Sequence, residues 1–343
     1  MCNCCNIIPG DVLLRLSKKK SLTTATRKSL ADTLKYDVEL RKLRVQARKL
    51  TLVAQEVVRE RATLAPIPAI TICNCNNTQS LPGGPMPHPA AAVDPTVKRV
   101  FETTTNVVDF FDKVFSRNSI DDAGMTLMSS VHYGNKYNNA CWNGSQMTYG
   151  DGDGDIFVDF SQGIDVVCHE LMHGVTQHTI QLGYANEPGG LNESISDVFG
   201  TMFRQWKAGQ PVTRADWLMG TDIMGPAAIK DGYVCLRDMA RPGAKHCLTR
   251  QPYHYSKYKA GMDPHYSSGI PNLAFHKVAM AIGGNSWGKA GQIWYRALTG
   301  FGPSPNMRMR AFANRTRRVA SELYPGDAAS AQAVDLGWKQ VGL

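Results

Sequence analysis

His169-Glu170-Leu171-Met172-His173 is the stretch that most narrows what this 343-residue chain can fold into. Two histidines four residues apart project from one face of a helix, one turn from each other. Imidazole nitrogens at that spacing converge on a single metal ion. Glu170 is rotated about a third of a turn from His169, which puts it beside such an ion rather than on it. A metal-bound water needs a proton acceptor at that place. This is the physical content of the H-E-x-x-H pattern of zinc hydrolases.

Leu191-Asn192-Glu193-Ser194-Ile195-Ser196-Asp197 completes the set. Catalytic zinc takes three protein ligands and leaves the fourth position to water. Glu193 comes twenty residues after His173, an interval that holds the rest of one helix, a turn and the start of another. Residues 181–190 contain the Gly and Pro of a chain reversal. Asp197 follows Glu193 by four and shares its helix face. A carboxylate there can accept the second ring N–H of a zinc-bound His and fix its tautomer. The alternative is a solvated acidic face, disfavoured because both residues flank the one plausible third-ligand position.

These residues resemble the thermolysin family of metallopeptidases, and within it the protealysin-like members with short prosegments. The resemblance runs from about Thr71 to the C terminus. It includes Asn138-Asn139-Ala140-Cys141-Trp142-Asn143-Gly144, Gly150-Asp151-Gly152-Asp153-Gly154, His254-Tyr255-Ser256-Lys257-Tyr258 and Ser267-Ser268-Gly269-Ile270. It implies an α+β fold with a β-rich N-terminal lobe, a mainly helical C-terminal lobe and the zinc helix between them. It also implies one catalytic zinc held by His169, His173 and Glu193, with Glu170 as general base. Tyr184 and His265 match the family's oxyanion donors. Asn139 and the Ala140 backbone match groups that bind the substrate main chain. Arg237 matches the arginine that contacts a substrate carbonyl, and Val166 and Leu236 match apolar walls of the pocket after the scissile bond.

Two departures from the family pattern matter. The acid expected about five residues before His265 is Ala260 here, and the nearest acid is Asp263. Either Asp263 takes over or His265 is less firmly oriented. Asp165 and Asp216 match two ligands of a double calcium site, but Arg204, Leu218 and Thr221 stand where three more acids are expected. A hard cation needs oxygen ligands, so the double calcium site is expected to be absent, with a single calcium elsewhere left open.

The net charge of +9 is unevenly placed. Residues 1–62 carry fourteen Lys and Arg against six Asp and Glu, whereas the rest has 24 against 23. A basic segment without interleaved aromatics argues against nucleic-acid binding. No apolar run reaches membrane-spanning length and no ordinary signal peptide is visible. The resemblance implies secretion all the same, with an intracellular precursor as the other reading, and a monomer. Among nine cysteines, Cys141 and Cys168 lie in apolar motif segments and read as buried thiols. Cys235 and Cys247 can bridge locally in an oxidising compartment.

Taken in order, residues 1–65 form a basic helical prosegment and linker, 66–182 the β-rich lobe and 183–343 the helical lobe. Residues 21–34 and 35–62 read as helices. Leu40, Leu43, Ala47, Leu50, Ala54 and Val57 recur at three and four, and such a stripe needs a partner surface. Pro66 and Pro68 mark the linker, where prosegment removal is expected. Residues 97–116 read as a helix and 126–160 as an antiparallel sheet. Helices are also expected over 272–282, 287–298, 306–323 and 328–341. The expected function is a zinc endopeptidase acting on proteins and peptides before bulky hydrophobic residues, inhibited by its own prosegment. Cys5 or the Ile7-Ile8-Pro9 segment is the expected blocking element. The competing reading is a catalytically silent binding or regulatory module.

Overall fold

The computed structural model describes residues 5–58 and 68–343, and the side chains of 6–42 and 68–343 within them. The chain packs as two units, one of residues 2–174 and 222–234, the other of 175–221 and 235–343.

In the first unit, β1 (Cys5–Asn6) leads through Pro9 into α1 (Gly10–Ser17) and then α2 (Thr24–Val58). α1 was not foreseen. Val12, Leu13 and Leu16 make its buried face, and Asp11 in the first turn complements the helix dipole. The two helices expected over 21–34 and 35–62 are one helix, α2. Thr23 starts it, its Oγ1 accepting from the Thr26 N–H at 3.1 Å. No Gly or Pro interrupts residues 24–58, so nothing breaks the ladder. Leu40, of the apolar stripe, is fully buried; the side chains of the stripe from Leu43 onward, and the expected cleavage region, lie outside the described residues.

The sheet comprises β1, β2 (Ile70–Asn74), β3 (Gly84–Pro85), then, after helix α3 (Pro95–Phe115), β4 (Leu127–Val131), β5 (Ala140–Trp142) and β6 (Met147–Tyr149). Its order is β1-β5-β6-β4-β2-β3. It is mixed, which corrects the antiparallel expectation: β4 runs parallel to both β2 and β6. α3 is the crossover that parallel β2 and β4 require. Asp94 caps it, accepting from Thr96 and Val97, and Val97, Val100, Val107, Phe110 and Phe111 bury its inner face. Helix α4 (Ile164–His178) carries the histidine pair, with Val166, Val167, Cys168, Leu171 and Met172 almost wholly buried.

The second unit is mainly helical. α5 (Asn186–Ala208) is followed by the two-stranded ribbon of β7 (Leu218–Met219) and β8 (Arg237–Asp238). The short helix α6 (Pro226–Lys230), between those strands in the chain, belongs to the first unit. α7 (Pro264–Ser267), α8 (Gly269–Ile282), α9 (Lys289–Thr299), α10 (Met309–Leu323) and α11 (Ala328–Gln340) complete the second. Its core stacks Trp294 on Trp338 at 5.8 Å, with Phe275 edge-on to Trp294 at 5.1 Å. Each such aromatic pair contributes about 0.5–1.5 kcal/mol beyond the area it buries. Cys235 and Cys247 are free thiols, and Cys73, Cys75, Cys141 and Cys168 are buried.

Candidate active site

α4 presents His169 and His173 from one face, both buried, with Nε2 atoms 3.1 Å apart and rings edge-on at 4.8 Å. Two zinc–imidazole bonds of about 2.1 Å at a tetrahedral angle place their nitrogens about 3.4 Å apart, so this donor pair fits zinc. A carboxylate oxygen of Glu170 lies within 4.8 Å of the histidine nitrogens. Glu170 Oε2 accepts the backbone N–H of Trp142 at 2.8 Å, which ties the carboxylate to the sheet. Gly174, one residue past the second histidine, has no room for a side chain: a Cβ there meets Ile120 at 2.8 Å and Trp142 at 3.4 Å.

The main-chain binding candidates are on the same unit. Asn139 precedes β5 and is buried, as is Ala140. Asn139 is engaged from both sides by the N-terminal segment. The Ile8 N–H donates to Asn139 Oδ1 at 2.9 Å, and Asn139 Nδ2 donates to the Ile8 carbonyl at 3.1 Å. The Ile7 N–H donates to the Ala140 carbonyl at 3.1 Å. β1 pairs antiparallel with β5, Cys5 opposite Trp142 and Asn6 opposite Cys141. Residues 5–8 therefore lie along β5 as an added strand, the way an extended peptide adds to a sheet edge. Ile7 and Ile8 are wholly buried there. Each contributes up to about 1.5–3 kcal/mol from burial.

α2 fastens this segment. Asp37, fully buried, accepts from the Tyr137 hydroxyl at 2.6 Å and from Asn139 Nδ2 at 3.2 Å. Burial, only partly offset by these donors and by Arg41, raises its pKa to about 6. Thr33 Oγ1 accepts the Asn138 N–H at 2.9 Å, Ser29 bonds Asp153 at 3.2 Å and Thr26 bonds Asp155 at 2.7 Å. Sequence reading missed Asp37. Asp37 shares a helix stripe with Leu30, Thr33 and Leu40, but in the sequence a charge there reads as part of the solvated face.

The second unit collects the other candidates. Glu193 and Asp197 lie on α5, both buried. Asp197 accepts from Arg237 Nη2 at 2.7 Å and Nε at 3.1 Å, and from Asn272 Nδ2 at 2.8 Å. Arg237 on β8 is thus held by two charge-assisted bonds to one oxygen of Asp197, Oδ1. His265 Nδ1 lies 2.8 Å from Asp263 Oδ1, and its Nε2 lies 3.4 Å from Glu193 Oε2. Asp263 also caps α7 through the His265 N–H at 2.9 Å. It therefore takes over the orienting task for which Ala260 has no group. Burial pulls the His265 pKa down, but the charges of Glu193 and Asp263 outweigh it and bring it to about 10. Tyr184, just before α5, directs its hydroxyl to Asn192 Oδ1 at 3.2 Å. Val166 in the first unit and Leu236 in the second are both buried. Arg204 pairs with Asp216 through both ends of its guanidinium, at 3.1 and 3.3 Å.

A buried pair of histidines on one helix with a glutamate between them defines a zinc hydrolase site. A family model described as "Thermolysin metallopeptidase, catalytic domain" matches residues 88–177, and one described as "Thermolysin metallopeptidase, alpha-helical domain" matches residues 180–343. An extracellular metalloprotease of Pectobacterium carotovorum subsp. carotovorum is 42% identical over 244 residues, 68% of this chain and 69% of that protein. Protease PrtS of Photorhabdus sp. (strain Az29) is 39% identical over 290 residues, 80% of this chain and 76% of that one. The solved precursor of protealysin, a metalloproteinase from Serratia proteamaculans, superposes with a TM-score of 0.83 at 33% identity, covering 98% of this chain and 99% of its own. The chain belongs to the thermolysin family of metallopeptidases and is a zinc metalloendopeptidase.

Proposed function

We propose that this chain is a self-inhibited precursor of an endopeptidase that cuts on the N-terminal side of bulky hydrophobic residues. The observation that carries the inhibition is the two-way bonding of the Ile8 backbone to Asn139, with Ile7 on Ala140. A substrate main chain needs those same groups, so residues 5–8 compete with it directly. The match to a protealysin precursor over nearly the whole chain supports a prosegment here. We place prosegment removal in the linker marked by Pro66 and Pro68, and read the active form as a monomer that acts outside the cell, as a relative named an extracellular metalloprotease suggests.

His169, His173 and Glu193 would hold the zinc, which when bound lowers the pKa of its water and polarises the scissile carbonyl. Glu170, fixed by the Trp142 N–H, takes a proton from the attacking water and returns it to the leaving amine. His265, oriented by Asp263, and Tyr184 donate to the oxygen that gains charge. Arg237, held by Asp197, meets a substrate carbonyl. Val166 and Leu236 are the residues that would select large apolar side chains, at about 1–3 kcal/mol per methylene-scale change. Arg204, paired with Asp216, supports the absence of a double calcium site, because a fixed guanidinium repels a cation there.

The test compares full-length, uncleaved protein with a form lacking residues 1–16, both zinc-loaded, on casein and on peptides varied after the scissile bond. The truncated form is expected to be at least tenfold more active, to lose activity to a zinc chelator and to favour Leu or Phe over Ala. Equal activity of the two forms would refute self-inhibition. Inactivity of a folded, zinc-loaded truncated form would favour the silent-module reading.

A further inference from the structure

The segment that carries Leu236 and Arg237 is closed by three side chains that peptide hydrolysis does not use. Cys235 enters β8 and Cys247 returns beside it as a parallel bridge partner. The Leu248 N–H donates to the Cys235 carbonyl and the Thr249 N–H to the Leu236 carbonyl, each at 3.0 Å. Both cysteines are fully buried. Their sulfurs are 3.9 Å apart. A disulfide needs about 2.05 Å. Two zinc–thiolate bonds of about 2.3 Å at a tetrahedral angle set the sulfurs about 3.8 Å apart.

His246 adds an imidazole to the pair. One ligand atom each from Cys235, His246 and Cys247 lie within 4.8 Å of one another. His246 Nε2 is 3.0 Å from Asp238 Oδ2. That carboxylate is itself fixed, its Oδ1 accepting the N–H groups of Ala240 and Arg241 at 2.9 Å. A carboxylate on one ring nitrogen is the arrangement that orients a metal-binding imidazole.

We propose that Cys235, His246 and Cys247 form a second metal site, distinct from the catalytic one, that takes a soft divalent cation such as zinc and closes the 235–247 loop. Two thiols and an imidazole are soft and borderline donors, which select this class of ion over calcium or magnesium. Each thiol gives up its proton as it binds, so two protons leave for every ion taken up. Because those two protons must leave, binding tightens as pH rises. An ion here acts on the fold of the loop and not on the scissile bond.

The test uses the full chain, reduced and loaded with cobalt(II) in place of zinc. Two ions per chain are expected, and one of them gives thiolate-to-cobalt charge-transfer absorption. The His169, His173 and Glu193 set contains no sulfur, and a Cys5→Ser background removes the thiol of the expected blocking element, so the band reports the second site. Cys235→Ala and Cys247→Ala should each abolish the band and remove one ion, leaving the other. His246→Ala should weaken cobalt binding at this site by roughly 10–100-fold. Wild-type protein supplies a second measurement that no folding defect can mimic: cadmium should protect Cys235 and Cys247 from alkylation. A single ion in the reduced wild type, equal alkylation with and without cadmium, or a Cys235–Cys247 disulfide in enzyme purified without reductant would each overturn the proposal.

Discussion

His169, Glu170 and His173 are placed by one helix, whereas Arg237, Asp197, Asn272, Glu193, His265 and Asp263 are gathered from several elements. In the first group the spacing of side chains is the helical repeat itself, and Trp142 is borrowed from elsewhere to hold Glu170. In the second, Asp197 is made tolerable by partners far away in sequence: 40 residues separate Arg237 from it, and 75 separate Asn272 from it. A helix-borne group can be altered without disturbing its neighbours' positions. A gathered group cannot, because a lost partner leaves a buried charge behind. The two should therefore fail differently when mutated, the first in chemistry and the second in stability as well.

The largest expected effect tests the helix-borne side. Glu170→Gln keeps the shape of the side chain and removes its basicity. Activity of the truncated enzyme should fall about 10³–10⁴-fold while zinc content and melting temperature stay near wild type. Near-normal turnover in that variant would remove Glu170 from its role. On the gathered side, Arg237→Ala strips Asp197 of its main partner at a site where both side chains are almost wholly buried. A loss of about 3–5 kcal/mol in urea unfolding is expected, beyond any kinetic defect. A variant that is kinetically impaired yet fully stable would break the distinction.

A smaller effect is expected at Asp263. Asp263→Asn retains an oxygen to cap α7 and loses the charge that orients His265. A drop of roughly 10–100-fold in kcat, with KM little changed, is expected. His265→Ala in the Asp263→Asn background should then cost little more. Independent, additive losses would show that Asp263 does not act through His265.

The same contrast explains what could be read from the sequence. The histidine pair and Glu170 were legible because helix geometry converts spacing directly into direction. The orienting role of Asp263 stood only as one of two options, since two residues of separation do not fix a side-chain bond. Asp37 was invisible because an Asp in a basic amphipathic helix looks like part of the solvated face. Only packing on Tyr137 and Asn139 reveals it as a buried acceptor. The parallel pairing of β2 with β4 was missed for a related reason. Alternation along a strand reports which face is buried but not which way its neighbour runs, and these two strands are joined through α3, outside any local turn signal.

His132 offers the smallest effect and shows that the first unit also contains a gathered cluster. It follows β4 with φ 52°, a left-handed conformation, and lies between two carboxylates from different segments. Its Nδ1 is 2.8 Å from Asp151 Oδ1 and its Nε2 is 2.9 Å from Asp94 Oδ2. The Asp151 hydrogen bond is the largest influence. With the charges of Asp151 and Asp94 it outweighs burial and raises the pKa from 6.5 to about 9. The folded state therefore holds this proton more tightly than the unfolded chain. The stabilisation is fully present below about pH 6.5 and is lost as pH rises through about 9. Asp94 shifts the other way, held below its usual pKa because the His132 contact and its cap bonds outweigh burial, so its contribution fades only in acid. Allowing for the part exposure of the cluster, the His132 contribution should be about 1–2 kcal/mol. His132→Asn keeps a residue that tolerates the left-handed conformation and cannot titrate. Unfolding curves of wild type and variant should lie about 1–2 kcal/mol apart near pH 6 and converge by about pH 10. A gap that persists unchanged to pH 10 would mean that packing, and not the shared proton, is what His132 contributes.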